Sequence, residues 1–264
     1  MEQPDGTRSS RFGEVRRVAE TGSTNRDLLD AAAAGAADGT VLVAAHQTAG
    51  RGRMDRTWTA PPGASLLASV LLRPAVPADR TFLLTLACGV AAIDAVAEVA
   101  GVRVGLKWPN DLVAVDGPDA DRKVAGILAE SVIADGRVDA VVVGMGLNVN
   151  WPSPLPADLA AIATSLNRLA GREIELDAVL WSWLDHYERE LSRLETDVGA
   201  ALLTRVRSLS ATIGRTVDVT LPDRTFAGRA VAVDDDGHLV VEPSDGGGAV
   251  EVTMGDVVHA RLVD

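Results

Sequence analysis

One cysteine, Cys88, is all the sequence holds, so no internal disulfide can form and the chain reads as one for a reducing compartment. In its apolar surroundings, LTLACGVAA, that thiol reads as a buried structural residue rather than a nucleophile. Basic residues are also short: 25 against 37 acidic ones, a net charge of −12 that argues against a general nucleic-acid binder while leaving room for a local basic patch. No segment supplies the ~20 apolar residues of a membrane span. The longest apolar stretch, near residues 83–100, carries Asp94 and Glu98, and the polar N-terminus MEQPDGTRSSRFGE has no signal-peptide core. These absences describe a soluble, cytosolic protein with no membrane partner. Familiar catalytic signatures are missing as well. There is no GxxxxGK[ST] phosphate loop, and Gly144–Met145–Gly146–Leu147–Asn148 is no dinucleotide fingerprint, because Val149 stands where a third glycine belongs. No Ser/His/Asp or Cys/His set appears, no internal repeat is visible, and the four histidines (His46, His186, His238, His259) are scattered without a metal-ligand cluster.

What is present centres on Gln47–Trp58, QTAGRGRMDRTW, set between the strand-like runs Val41–Ala45 and Leu66–Leu72. Gly50 and Gly52 permit backbone conformations that aim successive N–H groups into one concavity. Arg51, Arg53 and Arg56 add forked donors for carboxylate or phosphate, and Trp58 ends the loop with a flat apolar face. The stretch reads as an anion cradle. A mobile surface loop and a nucleic-acid patch are its competitors, and the acidic net charge lowers the second.

With 47% apolar residues in 264, the chain can bury a full core and hold one large domain and a small one. A strand at Glu14–Ala19 leads to a helix in TNRDLLDAAAA, with capping-box-like spacing of Thr24 and Asp27 and Gly35 as its stop. Ala78–Ala100 reads as a long helix with a buried face. In GLKWPNDLVAV, Pro109–Asn110–Asp111 is turn chemistry, which puts Lys107 and Asp111 at the ends of a hairpin. Lys123 opens the next strand, where Gly126 signals close approach by another group. A turn at Ala134–Asp135–Gly136 returns the chain through VDAVVVGMGLNVNW to a proline-rich loop at 151–157. One helix is expected from Asp177 to about Ser208, with Leu180, Trp181, Leu184, Tyr187, Leu191 and Leu194 on its core face. From Ile213 the pattern changes to short strands at Val217–Leu221, Phe226–Val233, His238–Glu242, Val250–Thr253 and Val257–Leu262, a small β-barrel.

Together, STN at 23–25, HQTAGRGR at 46–53 with Trp58, KWPND at 107–111, K-x-AGIL at 123–128 and GMGLNVN at 144–150 resemble bacterial biotin protein ligase, in order and spacing across about 130 residues. The resemblance implies an α/β fold of the α+β type: a mixed-sheet biotin/lipoate ligase catalytic domain at 1–210, followed by a small SH3-like β-barrel at 211–264. It implies that biotin and Mg²⁺-ATP form biotinyl-5′-adenylate, which then acylates a lysine of a biotin carboxyl carrier domain. By the same resemblance Lys123, Arg51 and Arg53 carry the chemistry, with Lys123 bridging the biotin carboxylate and the α-phosphate. Ser23, Thr24, Asn25, Gln47, Gly50, Arg51, Gly52, Arg53, Lys123, Gly126 and Gly146 would hold biotin. Arg53, Trp58, Asn110, Lys123, Ile127 and Asn148 would serve the nucleotide, with Trp58 against adenine. Asp111 would influence Mg²⁺ or the deprotonation of the acceptor lysine, and both roles stay open.

Two departures from the family pattern stand out. Where the family's loop often reads GRGRRGR, Met54 and Asp55 replace the last Arg–Gly pair, which makes the loop less electropositive. Regulatory members carry an N-terminal DNA-binding domain, and the 22 residues before Ser23 are too few for one, so the monofunctional ligase without specific DNA binding is expected. A lipoate or octanoate transferase, a repressor and a non-catalytic adenylate-binding module are the rival readings. The loop at 50–57, with two glycines and three mutually repelling arginines, is expected to order only over ligand, and a second loop near Val149–Leu159 to close over adenine.

Overall fold

The fold is seen in a computed structural model that describes residues 11–74, 76–134, 137–157, 159–197, 199–253 and 259–263. The turn expected at Asp135–Gly136, the first two residues of the strand expected from Val257 and most of the polar N-terminal stretch lie outside the described residues.

Seven strands make the first sheet: β1 (Val15–Thr21), β2 (Val41–Gln47), β3 (Ser65–Leu72), β4 (Val104–Lys107), β5 (Asp111–Ala114), β6 (Lys123–Ala134) and β7 (Arg137–Asn148). Their order is β1-β2-β3-β7-β6-β5-β4. Only β1 and β2 run parallel; every other neighbouring pair is antiparallel, so the sheet is mixed, as the resemblance implies. The central strand β3, SLLASVLL, is buried at all eight positions, because helices cover both faces of the sheet. Leu66, Ala68, Val70 and Leu72 face the main core, and Leu71, one residue out of phase, joins Leu42 and Val142 beneath Leu28 and Ala32 of the helix α1 (Thr24–Ala33).

The main core is built around α2 (Leu83–Ala100), which a short 3₁₀ turn at Ala78–Arg80 precedes. By length and composition the segment Ala78–Ala100 could cross a bilayer, but 14 of the 18 residues of α2 are buried between the sheet and the helix α4 (Leu176–Asp197), which follows the short α3 (Leu166–Ala170). The single helix expected from Asp177 to Ser208 is two, α4 and α5 (Ala200–Ser208). Gly199 sits between them at φ 97°, with Leu83 and Leu194 packed where a Cβ would go, so the chain turns there under the core. Trp181 was expected on the buried face and is 41% exposed; Trp183, at the correct helical phase with Leu180 and Tyr187, is buried instead. The capping box also differs. Ser23, not Thr24, is the N-cap, and Asp27 accepts from Thr21 Oγ1 at 2.5 Å rather than closing the box.

The remaining strands β8 (Thr216–Thr220), β9 (Thr225–Val233), β10 (Leu239–Pro243), β11 (Val250–Val252) and β12 (His259–Val263) form an antiparallel sheet in the order β11-β10-β9-β8-β12, consistent with an SH3-like unit. Its inward residues Val217, Val219, Leu239 and Val241 continue the main core without a break. Trp108 of the β4–β5 turn donates its backbone N–H to Thr212 Oγ1 and its indole N–H to Gly237 O, and Arg215 grips Asp121 with both guanidinium branches. This second sheet therefore buttresses the hairpin that carries KWPND.

Candidate active site

One cavity of about 760 Å³ gathers the ends of β2, β6 and β7, the start of α1, the β4–β5 turn and the segment 159–163. The stretch after β2, expected as a loop between two strands, folds back on itself as a narrow hairpin. Arg51 pairs with Thr57, Gly52 N–H donates to Arg56 O at 2.7 Å, and Trp58 N–H donates to Gly50 O at 2.9 Å. Gly50 is required by that closeness, since a Cβ there would lie 2.4 Å from Trp58 O. At the tip, Met54 and Asp55 hold φ of 53° and 57°, the left-handed region that favours glycine; Asp tolerates it better than most residues.

At the inner end the groups are small, neutral and mutually bonded. Gln47 Oε1 accepts from the backbone N–H of Thr24 (2.7 Å) and lies 2.9 Å from its hydroxyl. Ser69 Oγ is 2.7 Å from Thr24 Oγ1 and 2.6 Å from Asn25 Oδ1, and Asn25 Nδ2 donates to Leu128 O and Glu130 Oε2. Gly144 makes room for this: a Cβ would stand 2.0 Å from Asn25 Oδ1.

Charge dominates the outer end. Arg53, Arg56, Lys107 and Lys123 line the wall there with Asp111 and Asp121. Lys123 Nζ lies 2.7 Å from Asp111 Oδ1 and 5.3 Å from the centre of the Trp58 ring, a cation–π distance. The indole itself lies across Gly126 and Gly146, where a Cβ would meet it at 3.1 and 2.4 Å, and its buried Nε1 has no hydrogen-bond partner among the described residues. Burial pushes Lys107 below the ordinary lysine range although Asp111 pulls the other way, and burial likewise lowers Arg53. The hydrogen bond from Arg215 keeps Asp121 below the ordinary carboxylate range, so that acid stays ionised and already paired. A segment C-terminal to β7 clasps the lysine strand: Lys123 N–H donates to Ile162 O at 2.8 Å, Thr164 N–H donates to Lys123 O at 2.9 Å, and Asn148 Nδ2 donates to Thr164 O at 3.0 Å.

Sequence comparison decides the family. Residues 18–148 match the biotin/lipoate A/B protein ligase family, and residues 212–262 match the biotin protein ligase C-terminal domain. The biotin–[acetyl-CoA-carboxylase] ligase of Mycobacterium tuberculosis is 42% identical over 258 residues, covering 92% of this chain and 88% of that one.

The chain belongs to the biotin protein ligase family.

The bifunctional ligase/repressor of Bacillus subtilis is 36% identical over 85% of this chain and 68% of its own length. The biotin protein ligase of Aquifex aeolicus, solved in complex with biotin and ATP, superposes with a TM-score of 0.81 at 26% identity, covering 96% of this chain and all of that one.

Of the residues that the sequence singled out, Thr24, Asn25, Gln47, Arg51, Gly52, Arg53, Trp58, Asn110, Lys123, Gly126, Ile127, Gly146 and Asn148 all line this one cavity. Ser23 and Gly50 are not on its wall: one starts α1, and the other closes the hairpin. Asn110 spends one amide proton on Ile127 O at 2.7 Å, which ties the KWPND turn to β6. Sequence reasoning missed Ser69, Gly144 and Glu130 in the polar network and Ile162 in the clasp. Gly144 was legible, since it shares a face of β7 with Gly146; the others have no local signal. His238, expected to stand apart, meets Asp234 and Glu251 on the second sheet with ligand atoms within 4.8 Å of each other, away from the cavity wall.

Proposed function

We propose that the chain is an ATP-dependent biotin protein ligase acting in two steps within this cavity. In the first, a biotin carboxylate oxygen attacks the α-phosphorus of ATP, giving biotinyl-5′-adenylate and pyrophosphate. In the second, the amine of a carrier lysine attacks the acyl carbon, an amide forms, AMP leaves and the amine gives up a proton. The observation that carries this reading is one cavity in which a neutral hydrogen-bonding pocket adjoins a cationic end that holds Lys123, Arg53 and an indole face. Two anions must be brought together there, and fixed positive charge at their meeting point offsets the repulsion and stabilises charge that builds in the transition state. Asp111 holds the Lys123 ammonium by an ion pair, which supports a fixed position for that charge.

Mg²⁺ fits the donors available. Asp111 and Asp121 both line the cavity and both already face a cation, so the ion would arrive on the ATP phosphates and take at most a carboxylate oxygen such as Asp111 Oδ2. Bound there, it supplies charge neutralisation for the leaving pyrophosphate. Catalysis and both small substrates are assigned to residues 1–210, and the β-rich remainder, 211–264, supports the KWPND turn. On this reading the partners are biotin, Mg²⁺-ATP and the biotin carboxyl carrier domain of a carboxylase in the cytoplasm; a net charge of −12 argues against a specific DNA partner. Incubating the chain with labelled biotin, ATP, Mg²⁺ and a carrier domain should put label on the carrier only when ATP is present. Label that appears without ATP, or none at all, would reject the assignment.

A further inference from the structure

Glu130 lies on β6 behind the cavity, and it is not on the cavity wall. Its carboxylate touches two residues that are. Oε2 accepts from Asn25 Nδ2 at 3.0 Å, and Oε1 accepts from Arg51 Nη1 at 2.8 Å.

A carboxylate can only accept, and that settles the orientation of its neighbours. Asn25 Nδ2 stands between two acceptors, Glu130 Oε2 and Leu128 O, so both amide protons are committed. Turning the amide over would bring Oδ1 against those same two oxygens. With Oδ1 held on the other side, the hydroxyl of Ser69 must donate to it, at 2.6 Å. That uses the one proton of Ser69, so Thr24 Oγ1 becomes the donor in the 2.7 Å contact between the two hydroxyls. Gln47 Oε1 then has the backbone N–H of Thr24 as its donor. What Asn25 can still offer a ligand is a lone pair on Oδ1, never a proton.

We propose that Glu130 is a positioning residue that fixes the inner pocket as a hydrogen-bond acceptor, and thereby selects a ligand whose head ring carries N–H donors. The assignment rests on the biotin reading above: a cyclic urea brings such donors, whereas the dithiolane of lipoic acid brings none. The bond from Glu130 to Arg51 adds a second consequence. It ties the base of the arginine hairpin to the strand that bears Lys123, so the selected head and the cationic end are held by one side chain.

Calorimetric titration of the full chain with biotin, lipoic acid and ATP in turn tests this. Glu130→Ala should bind biotin about tenfold or more weakly, the usual consequence of losing charge-assisted hydrogen bonds, with a smaller loss for ATP through the freed Arg51. Glu130→Gln keeps the shape and guards against a folding defect. Its amide allows Asn25 to turn over, so biotin binding should weaken there too, and the preference for biotin over lipoic acid should narrow. Because Glu130 acts through Asn25, combining Glu130→Gln with Asn25→Ala should cost clearly less than the sum of the two losses. Wild-type affinity for biotin in Glu130→Gln, or fully additive losses, would overturn the assignment alone. A wild-type chain that binds no biotin would overturn the functional reading and this inference with it.

Discussion

The two ends of the cavity are built on opposite principles. At the inner end, Thr24, Asn25, Gln47 and Ser69 satisfy each other through short neutral hydrogen bonds, and three of these four side chains are nearly fully buried. At the outer end, Arg53, Arg56, Lys107 and Lys123 share a confined wall with two carboxylates, and burial works against the charge of Lys107 and Arg53. A bonded network of that kind is rigid and reads shape and donor pattern. A crowd of cations does the reverse: it is held against its own repulsion and gains most when anions arrive. On the proposed reading, an amphipathic acid enters head inward with its carboxylate toward Lys123. The difference between the ends is what converts binding into orientation.

The largest effect that can break this comparison is expected at Lys123. Lys123→Ala should slow adenylate formation on the order of 10²-fold or more, because a fixed charge at the point of reaction is lost. Biotin binding in the absence of ATP should change far less, and the fold should hold, since Lys123 is a partly exposed strand-end residue. Pyrophosphate release at saturating substrates checks this; near-normal turnover would detach Lys123 from the chemistry. At the opposite end, Gly144→Ala should do the reverse. Its Cβ would stand 2.0 Å from Asn25 Oδ1 and must displace it, so biotin affinity should fall by about tenfold, the scale of one lost hydrogen bond, while ATP affinity is kept. Equal losses for both ligands would erase the distinction between the ends.

A smaller effect concerns stability. The folded pKa of Lys107 is lowered by burial. Between that value and the ordinary lysine pKa the unfolded chain carries a proton that the folded chain lacks, so this residue makes stability rise with pH across that window and is unfavourable below it. Lys107→Met should therefore raise the melting temperature near neutral pH and flatten the alkaline rise, while weakening ATP binding. A lower melting temperature would show that the charge is not strained. Smallest in energy is the hairpin itself. Amides of 50–57 should exchange faster than those of β6 and β7, and gain protection when biotin and ATP are added, because anions relieve the repulsion among its arginines. Full protection in the chain alone would contradict the coupled ordering.

Much of this arrangement could be read from the sequence because the chemistry lies at strand ends and turns. Gly50 and Gly52 around Arg51, the turn at Pro109–Asn110 and the strand start at Lys123 each announce themselves locally, and the sheet brings them together. What escaped was long-range. Ser69 looks like one more position in a buried strand, and only the packing of α1 over β3, next to Gly144 of β7, sets it beside Asn25. Glu130 reads as a solvated strand residue until Arg51, 79 positions away, folds onto it. The clasp of Ile162 and Thr164 on Lys123 is made by backbone groups, which carry no sequence signature. The helix break failed for a different reason. Gly199 after Asp197 is a sound stop signal, but the apolar periodicity of the following LLTRV continues in helical phase and hides it.

The central claim is that the neutral end chooses the acid and the cationic end joins it to adenylate. Exchange of labelled pyrophosphate into ATP by the chain with Mg²⁺, with biotin or lipoic acid as the only acid present and no carrier added, tests both halves at once. The account predicts exchange with biotin and essentially none with lipoic acid; exchange that is independent of biotin, or equal with the two acids, would contradict it.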